Sequence, residues 1–212
     1  MESNSQCGFR PNYELIGNWL SGNDELSSRE LSQQPIPASL DRLSFLTDHS
    51  SVAEATEADL LHMRRCFALA SQARDAGQHP FAALVVDESG KVLIEARNHS
   101  RPPDGDPTQH AELLAASRAA RIFPPEQLAR ATLYTSAEPC CMCAGAIYWA
   151  NIGRVVYGLS EHRLLLLTGS NEKNPTFSLP CREVFARGQR HIEILGPLLE
   201  DEAAKPQEGF WA

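Results

Sequence analysis

Hydrophobic and polar positions follow a regular pattern only after about residue 52 of this 212-residue chain. Residues 1–52 are rich in Ser, Asn, Gln and Pro and have no sustained hydrophobic period. A segment that buries little hydrophobic surface cannot offset the conformational entropy that folding costs. We therefore predict a polar N-terminal extension over residues 1–52, flexible or loosely packed, and a folded domain over residues 53–212.

The folded domain begins with a predicted helix and a predicted hairpin. Thr56 and Asp59 have nearly the spacing of a capping box, and a hydrophobic stripe of helical period then runs to about Gly77. Residues 81–86 and 91–97 have the composition of strands, and the turn residues between them predict that the two strands pair.

Helices and strands then alternate towards the end of the chain. Thr108 can cap a helix at 109–122, and Pro139 can be the first residue of a helix that continues to Asn151. The other predicted elements are strands at 131–136, 154–158 and 191–195, a leucine-rich turn after 158, a loop at 171–177, and helices at 180–187 and 198–205. This alternation predicts an α/β fold whose mixed sheet is covered by helices on both faces.

Charge and composition narrow the classes of function. The net charge is -8, whereas proteins that bind a nucleic-acid backbone usually carry a basic patch. Arg118, Arg121 and Arg130 could form such a patch, but a solvated helix face is the simpler interpretation. No hydrophobic run is long enough to span a membrane and the first residues are polar, so we expect a cytoplasmic protein without membrane contact.

Four residues have the chemistry of a hydrolytic zinc site. Cys140 and Cys143 are three positions apart at a predicted helix start, so both sulfurs can face one ion. His110 supplies a third ligand, and a catalytic zinc keeps about three protein ligands and one position for water. Glu112, two residues after His110, could take the proton of that water and deliver it to a ring nitrogen and then to leaving ammonia.

A structural zinc site is the alternative interpretation of the same cysteines. Such a site needs a fourth protein ligand. Cys141 adjoins Cys140 and should point away from a shared ion, as a packed thiol. A structural site would also leave the spacing of His110 and Glu112 unexplained, so we favour catalysis. Cys66 and Cys181 lie among hydrophobic neighbours and are predicted to be buried thiols without a catalytic role.

The pattern formed by His110, Glu112, Pro139, Cys140 and Cys143 resembles the cytidine and deoxycytidylate deaminase superfamily. The resemblance extends from about residue 56 to residue 199. At residues 79–83, 106–108, 133–136 and 144–149, the sequence is similar to the bacterial branch that contains guanine deaminases and tRNA adenosine deaminases. The resemblance implies a three-layer α-β-α fold with a five-stranded mixed sheet, zinc at His110, Cys140 and Cys143, Glu112 as proton shuttle, and a homodimer.

The resemblance also implies where a base binds. Asn98 would contact the base, although an Asn at this position could equally close the turn. The backbone at Ala82 and Ala111 would line the pocket. Glu161 is the nearby candidate for the acidic residue with which guanine deaminases hold the amino edge of the purine.

Aromatic residues near position 210 are a further candidate for contact with the base. Small-base deaminases close the pocket with aromatic side chains from the C-terminal end, and stacking on a base contributes roughly 1–3 kcal/mol. Phe210 or Trp211 would then cap the bound base. A frayed terminus, or one docked on the core, is the alternative.

Together the residues and the resemblance predict a zinc-dependent hydrolase that deaminates a small nucleobase or nucleoside, a purine, with guanine as the leading substrate. A tRNA adenosine-to-inosine deaminase and a cytosine-type deaminase are alternatives within the class. Residues 159–163 and the acidic residues 200–202 depart from the tRNA enzymes, so a nucleic-acid partner is less expected. A binding protein with an idle zinc fold is a further alternative, against which Glu112 argues, because nothing structural requires a carboxylate there.

Overall fold

The computed structural model describes residues 54–169, 171 and 177–211. The predicted extension over residues 1–52 and most of the predicted loop at 171–177 lie outside these described residues. Within them the helices are α1 (Glu57–Asp75), α2 (Ala111–Ile122), α3 (Pro125–Leu128), α4 (Cys141–Trp149), α5 (Glu161–Thr168), α6 (Cys181–Ala186) and α7 (Glu200–Ala204), with a 3-10 turn at Lys205–Gln207. The strands are β1 (Ala82–Val86), β2 (Val92–Arg97), β3 (Thr132–Ala137), β4 (Arg154–Leu159) and β5 (Glu193–Leu195).

The five strands form one mixed sheet in the order β2-β1-β3-β4-β5. β1 pairs antiparallel with β2 and β3, and β3, β4 and β5 run parallel to one another. Thr135 sits at the centre, opposite Ala83 on one side and Tyr157 on the other. The five-stranded mixed sheet that the sequence predicts is thus confirmed.

Helices cover both faces of the sheet and create two separate cores. Successive residues of a strand point to opposite faces, and β1 shows this directly. Ala83 and Val85 pack with buried residues of α2, α4 and α6. Leu84 and Val86 pack with buried residues of α1, α5 and α7. The predicted three-layer α-β-α fold is confirmed.

The first predicted helix is confirmed together with its cap. Thr56 and Asp59 form a complete capping box. Asp59 is 1% exposed and also binds residues of the sheet: the Arg154 guanidinium donates to both carboxylate oxygens at 2.7 and 3.2 Å, and the Tyr134 hydroxyl donates at 2.8 Å. Arg154 in turn donates to Glu193 at 2.8 Å. This ion-pair network joins α1 to the amino-terminal ends of the parallel strands β4 and β5.

The predicted leucine-rich turn after β4 is wrong, because these residues form helix α5. Four consecutive leucines show no helical stripe, so their pattern hides the element. The signal that could have revealed it is Ser160, whose side chain accepts a hydrogen bond from the Arg163 N–H at 3.2 Å and caps the helix. Leu164 is buried in the core, whereas Leu166 is exposed.

Two predicted helix starts are also wrong by one or two residues. Helix α2 begins at Ala111 with His110 as its N-cap residue. Thr108 does not cap it, since its hydroxyl donates instead to the Asp106 carboxylate. Helix α4 begins at Cys141 with Cys140 as N-cap residue, so Pro139 precedes the helix rather than opening it.

The surface of the described residues carries both paired and unpaired charges, and Trp149 is its most exposed large hydrophobic residue. Arg118 and Arg121 are exposed on α2, and Arg130 pairs with Glu88 at 2.7 Å. Trp149, at the end of α4, is 85% exposed. Among residues 54–169, 171 and 177–211, no helix has the length and hydrophobicity that crossing a membrane requires. The cytoplasmic location stays a prediction.

Candidate active site

Functional side chains gather where the parallel strands β3 and β4 end. Ligands of open α/β sheets bind outside the carboxyl ends of the strands. Glu138 and Cys140 follow β3, and Glu161 follows β4. Thr135, on β3, reaches Glu112 on α2, which brings the start of that helix to the same edge.

His110, Cys140 and Cys143 form a cluster that fits one zinc ion. Their ligand atoms all lie within 4.8 Å of one another. His110 Nδ1 is 3.6 Å from the sulfur of Cys140 and 3.6 Å from that of Cys143. Zn–N bonds of about 2.0 Å and Zn–S bonds of about 2.3 Å in a tetrahedron imply an N···S separation of about 3.5 Å. The three protein ligands predicted from the sequence are therefore brought together at the distances that zinc requires.

The ligands occupy equivalent places at the starts of two helices. His110 and Cys140 are the N-cap residues of α2 and α4, and neither side chain caps its own helix. Their side chains are thus free to bind a metal, and the positive ends of the helices favour a thiolate. A hydrogen bond from the Cys143 thiol and another from His110 bring the pKa of Cys140 down to about 4 against the opposing effect of burial.

Glu112 lies beside the cluster without belonging to it. It is 5% exposed, and burial raises the pKa of its carboxyl. The Thr135 hydroxyl oxygen is 2.9 Å from Glu112 Oε1 and also 2.9 Å from the Ala137 carbonyl oxygen. Glu112 Oε2 is 3.6 Å from the Cys143 sulfur. A carboxyl that is buried, oriented by a hydroxyl and next to a ligand can hold or release a proton at the metal.

A cavity of about 240 Å³ opens onto the cluster and Glu112. Its wall combines two further acidic residues, Glu138 and Glu161, with hydrophobic side chains from several elements: Phe81, Pro107, Met142, Leu164 and Phe177. Glu161 is 7% exposed, and burial, then the Glu138 carboxylate, raise the pKa of its carboxyl to about 7. Of the substrate contacts predicted from the sequence, Glu161 lines the cavity.

Glu138 is a cavity residue that sequence reasoning missed. It is 8% exposed and accepts hydrogen bonds from the backbone N–H groups of Glu161 and Cys181, both at 3.0 Å. These partners lie 23 and 43 residues away in the chain. No local spacing rule connects such distant residues, although its place directly before Pro139 and Cys140 could have drawn attention to it.

Asn98 shows the turn-closing role, one of the two roles that the sequence left open. Its Oδ1 accepts hydrogen bonds from the Ser100 N–H at 2.9 Å and hydroxyl at 2.7 Å, so it closes the turn. Its Nδ2 is buried and has no hydrogen-bond partner within the described residues. A buried donor without a partner is costly, but Asn98 is not among the residues that line the cavity. Contact between Asn98 and a base therefore stays a prediction.

The backbone positions at Ala82 and Ala111 are buried next to the site but are not part of the cavity wall. The Ala82 N–H donates to the Ser136 hydroxyl at 3.0 Å, and its carbonyl oxygen is 3.0 Å from the Cys66 sulfur. Ala111 is the first residue of α2, directly after His110. Their neighbours Phe81 and His110 line the cavity instead.

Phe210 and Trp211 lie one layer behind the cavity wall. The Trp211 ring is 6.2 Å from the ring of Phe81, which lines the cavity, and 5.0 Å from that of His79. Phe210 packs at 6.0 Å from His79. Arg74 holds this segment by donating to the carbonyl oxygens of Pro206 and Glu208, both at 2.9 Å. Neither aromatic residue lines the cavity directly.

The other cysteines differ from the ligands. Cys66 and Cys181 are buried, as predicted, and burial raises the pKa of each thiol. Cys141 is half-buried and outside the metal cluster, as predicted, but it lines the cavity rather than packing in a core.

Comparison with known proteins agrees with this geometry. A family profile described as the cytidine and deoxycytidylate deaminase zinc-binding region matches residues 56–159. The chain is 43% identical over 161 residues to a probable cytosine deaminase of Schizosaccharomyces pombe, covering 76% of this chain and 97% of that protein. It is 38% identical over 108 residues to a tRNA-specific adenosine deaminase of Haemophilus influenzae, covering 51% of this chain and 62% of that protein.

Among solved structures, the fold is similar to a guanine deaminase from Nitrosomonas europaea. The TM-score is 0.60 and the sequence identity is 26%, over 74% of this chain and 86% of that one. The three relatives share the deamination reaction by name but differ in the substrate named. The type of reaction is therefore common to them, whereas the substrate varies.

Proposed function

This chain belongs to the cytidine and deoxycytidylate deaminase family, a family of zinc-binding hydrolytic enzymes, and we propose that it deaminates a free nucleobase, with guanine as the leading substrate. One observation carries the proposal: the metal cluster and Glu112 open into a small cavity whose wall contains Glu161. The reaction adds water to the carbon that bears the amino group, and ammonia leaves.

The residues of the cluster divide the chemistry between them. His110, Cys140 and Cys143 would hold a zinc ion, which when bound would lower the pKa of a water towards about 7. Glu112 would accept the proton that a water loses and deliver it to a ring nitrogen of the base. It would then take the proton of the hydroxyl added to the ring carbon and pass it to the departing amine. Its burial suits the task, because burial raises the pKa of the carboxyl and so favours uptake of a proton.

The size of the cavity supports a single base. Its volume of about 240 Å³ lies below the roughly 300 Å³ at which typical small-molecule clefts begin. Hydrophobic and aromatic side chains such as Phe81 and Leu164 offer surfaces on which a flat ring can pack. A nucleoside would have to place its sugar outside this wall.

Glu161 supports guanine among the bases. An ionised Glu161 can accept hydrogen bonds from ring N–H groups, and guanine carries such groups on both of its rings, whereas cytosine carries a single one. A carboxyl with a pKa of about 7 can also donate a hydrogen bond when it is protonated. Asn98 is not among the residues that line this cavity, so its contact with the base is proposed from the family resemblance and from its buried Nδ2, which has no partner in the described residues.

Cytosine is the second candidate substrate. The observation that favours it is the S. pombe relative named a probable cytosine deaminase, which matches this chain over 97% of its own length. The same cavity volume and the same Glu112 serve either base, so Glu161 is the residue on which the choice depends.

The test is ammonia release by zinc-loaded protein on guanine, cytosine and adenine, their nucleosides, and a tRNA. We expect turnover of one free base, with guanine preferred, and none by the Glu112→Gln variant, which controls for contaminating enzymes. Turnover of cytosine alone would replace the substrate but keep the reaction. Activity confined to tRNA, with binding that weakens steeply as salt rises, would contradict the proposal.

We also propose that the C-terminal aromatic residues close the cavity through Phe81. Trp211 packs against Phe81, and its carbonyl oxygen accepts a hydrogen bond from Asn171, which follows α5, at 2.8 Å. Deleting residues 209–212 is expected to raise the Michaelis constant while zinc content stays the same. An unchanged Michaelis constant would contradict this role.

The family resemblance further supports a homodimer, and the surface of α4 is where we propose that it forms. Trp149 is 85% exposed and Ile122 is 65% exposed. Phe123 and Pro125 line a groove of about 500 Å³ next to Trp149. A Trp149→Lys variant is expected to shift the sedimentation coefficient from dimer to monomer; a wild-type protein that sediments as a monomer would contradict the proposal.

A further inference from the structure

Glu138 lines the cavity, yet the chemistry described above assigns it no step. It follows β3 directly and stands two residues before the ligand Cys140. Only 8% of the residue is exposed. A buried carboxylate is stable only when hydrogen bonds or charges compensate the loss of water, so its partners indicate its role.

The two carboxylate oxygens of Glu138 accept hydrogen bonds from two different helices. Oε2 accepts from the N–H of Glu161, the first residue of α5, and Oε1 from the N–H of Cys181, the first residue of α6. The first N–H groups of a helix have no partner inside that helix and favour an anion. Pro180, the N-cap residue of α6, forms no side-chain cap, so Glu138 provides an acceptor from another part of the chain.

The sheet holds the main chain of Glu138 in place. Its N–H donates to the Leu159 carbonyl oxygen at 2.7 Å, directly after the pair formed by Ala137 and Leu159. The strands therefore fix Glu138, and Glu138 fixes the starts of α5 and α6. The loop that carries Cys140 and the wall that carries Glu161 are thereby joined through one side chain.

We propose that Glu138 is a positioning residue that sets where Glu161 meets the substrate. The proposal rests on the base deaminase function above and deepens it. Glu161 lines the cavity, and its backbone N–H is bound directly by Glu138. Because a misplacement of about 1 Å can cost about 10²-fold in rate or affinity, loosening this link changes substrate binding and selectivity, while proton transfer by Glu112 continues.

The Glu138→Gln variant tests the link with little change in shape. One oxygen becomes an NH2 group, which cannot accept from the N–H it faces. We expect unchanged zinc content and a kcat within a few fold of wild type. The KM for the best base should rise about tenfold, because this is the effect of losing one hydrogen bond to a charged group. Selectivity, the ratio of kcat/KM between the best and second-best bases, should fall by a similar factor.

A double variant tests whether Glu138 acts through Glu161. In a Glu161→Gln background, Glu138→Gln is expected to change selectivity little, because the group that it positions is already altered. Asp59→Asn is the matched control: it also converts a buried carboxylate into an amide, but at the other end of the strands, and should lower stability without changing KM. Glu138→Asp keeps the charge but is too short to reach both N–H groups, so it should behave like Glu138→Gln.

Three results would overturn the proposal. An equal loss of kcat/KM for every base, or multiplicative effects in the double variant, would leave Glu138 with a structural role alone. Hydrogen exchange gives a readout that needs no turnover: the amides of Glu161 and Cys181 should exchange faster in Glu138→Gln, and unchanged exchange would also overturn it. If these amides exchange faster in Glu138→Gln but the wild-type protein acts on no base, the result would refute the base deaminase function instead.

Discussion

Two regions bury acidic side chains at opposite ends of the parallel strands, and their surroundings shift the pKa of these side chains in opposite directions. At the amino-terminal end, Asp59 accepts hydrogen bonds from Arg154, Tyr134 and Thr56, which hold the pKa of its carboxyl well below the usual range although burial acts against them. At the carboxyl-terminal end, burial raises the pKa of Glu161 to about 7, and the neighbouring charge of Glu138 adds to the effect.

The difference separates groups that stabilise the fold from groups that perform chemistry. Asp59 meets a guanidinium and stays ionised at neutral pH. Burial raises the pKa of both Glu112 and Glu161, and the pKa of about 7 lets Glu161 gain or lose a proton near neutral pH. Of these buried carboxyls, Asp59 belongs to an ion pair, whereas Glu112 and Glu161 line the cavity.

The largest expected effect is the loss of turnover when Glu112 is replaced. Glu112→Gln keeps the shape and the contact with Thr135 but removes the group that accepts the proton. We expect kcat to fall by roughly 10³-fold or more, with zinc content and thermal stability close to wild type. Metal analysis and steady-state kinetics check this. A variant that retains more than a tenth of the activity would remove Glu112 from the mechanism.

The next largest effect should appear in stability rather than activity. Asp59→Asn leaves Arg154 without its main buried partner and is expected to cost about 3 kcal/mol of unfolding free energy. Urea denaturation of the zinc-loaded protein measures the shift of the midpoint. Selectivity and KM should be unchanged, because the network lies at the far end of the strands. A loss of activity without a loss of stability would erase the distinction between the two regions.

The pH dependence of stability should have opposite signs in the two regions. The folded pKa of Asp59 is below its ordinary 3.8, so its contribution is present above about pH 4 and is lost as the pH falls. The folded pKa of Glu161 is above its ordinary 4.5, so the contribution of Glu161 to stability is highest below pH 4.5 and falls as the pH rises to 7.

Glu161→Gln isolates the second of these effects. Relative to wild type, this variant should gain on the order of 2 kcal/mol in unfolding free energy between pH 4.5 and pH 8, because it has no carboxyl to ionise. Denaturation curves at several pH values check it. The gain is expected together with weaker selectivity for the base, and a difference that does not vary with pH would contradict the prediction.

The smallest effect is expected where an acidic group is in water. Glu88 pairs with Arg130 on the surface, and both side chains are more than half exposed, at 61% and 56%. Glu88→Gln should change the unfolding free energy by less than about 1 kcal/mol and leave kinetics unchanged. It serves as the baseline for the other variants, and a larger shift would show that exposed pairs contribute more here than their exposure suggests.

Local sequence spacing predicted the metal ligands, because they lie at two helix starts. His110 precedes α2 by one residue, and Cys140 and Cys143 share one turn, so short-range rules suffice. The acidic residues of the cavity wall, Glu138 and Glu161, could not be brought together in the same way from the sequence. Glu138 has partners 23 and 43 residues away, and only the packed sheet brings them together.

The fold shows the same division between local and long-range information. The cap at Thr56 was sufficient to predict α1. The alternation of strands and helices was sufficient to predict a sheet covered by helices on both faces. Helix α5 was missed because the leucines at its centre face both the core and solvent: Leu164 is buried and Leu166 is 71% exposed. Tertiary packing and the Ser160 cap decide such a segment, and its hydrophobic pattern does not.

The placement of the tryptophans makes the intrinsic fluorescence of this protein a probe of its cavity. Trp211 packs against both His79 and Phe81, whereas Trp149 is 85% exposed. With Trp19 and Trp149 replaced by Phe, emission would come from Trp211 alone. Binding of a base next to Phe81 could then be followed as a change in emission, in real time and without waiting for ammonia to accumulate.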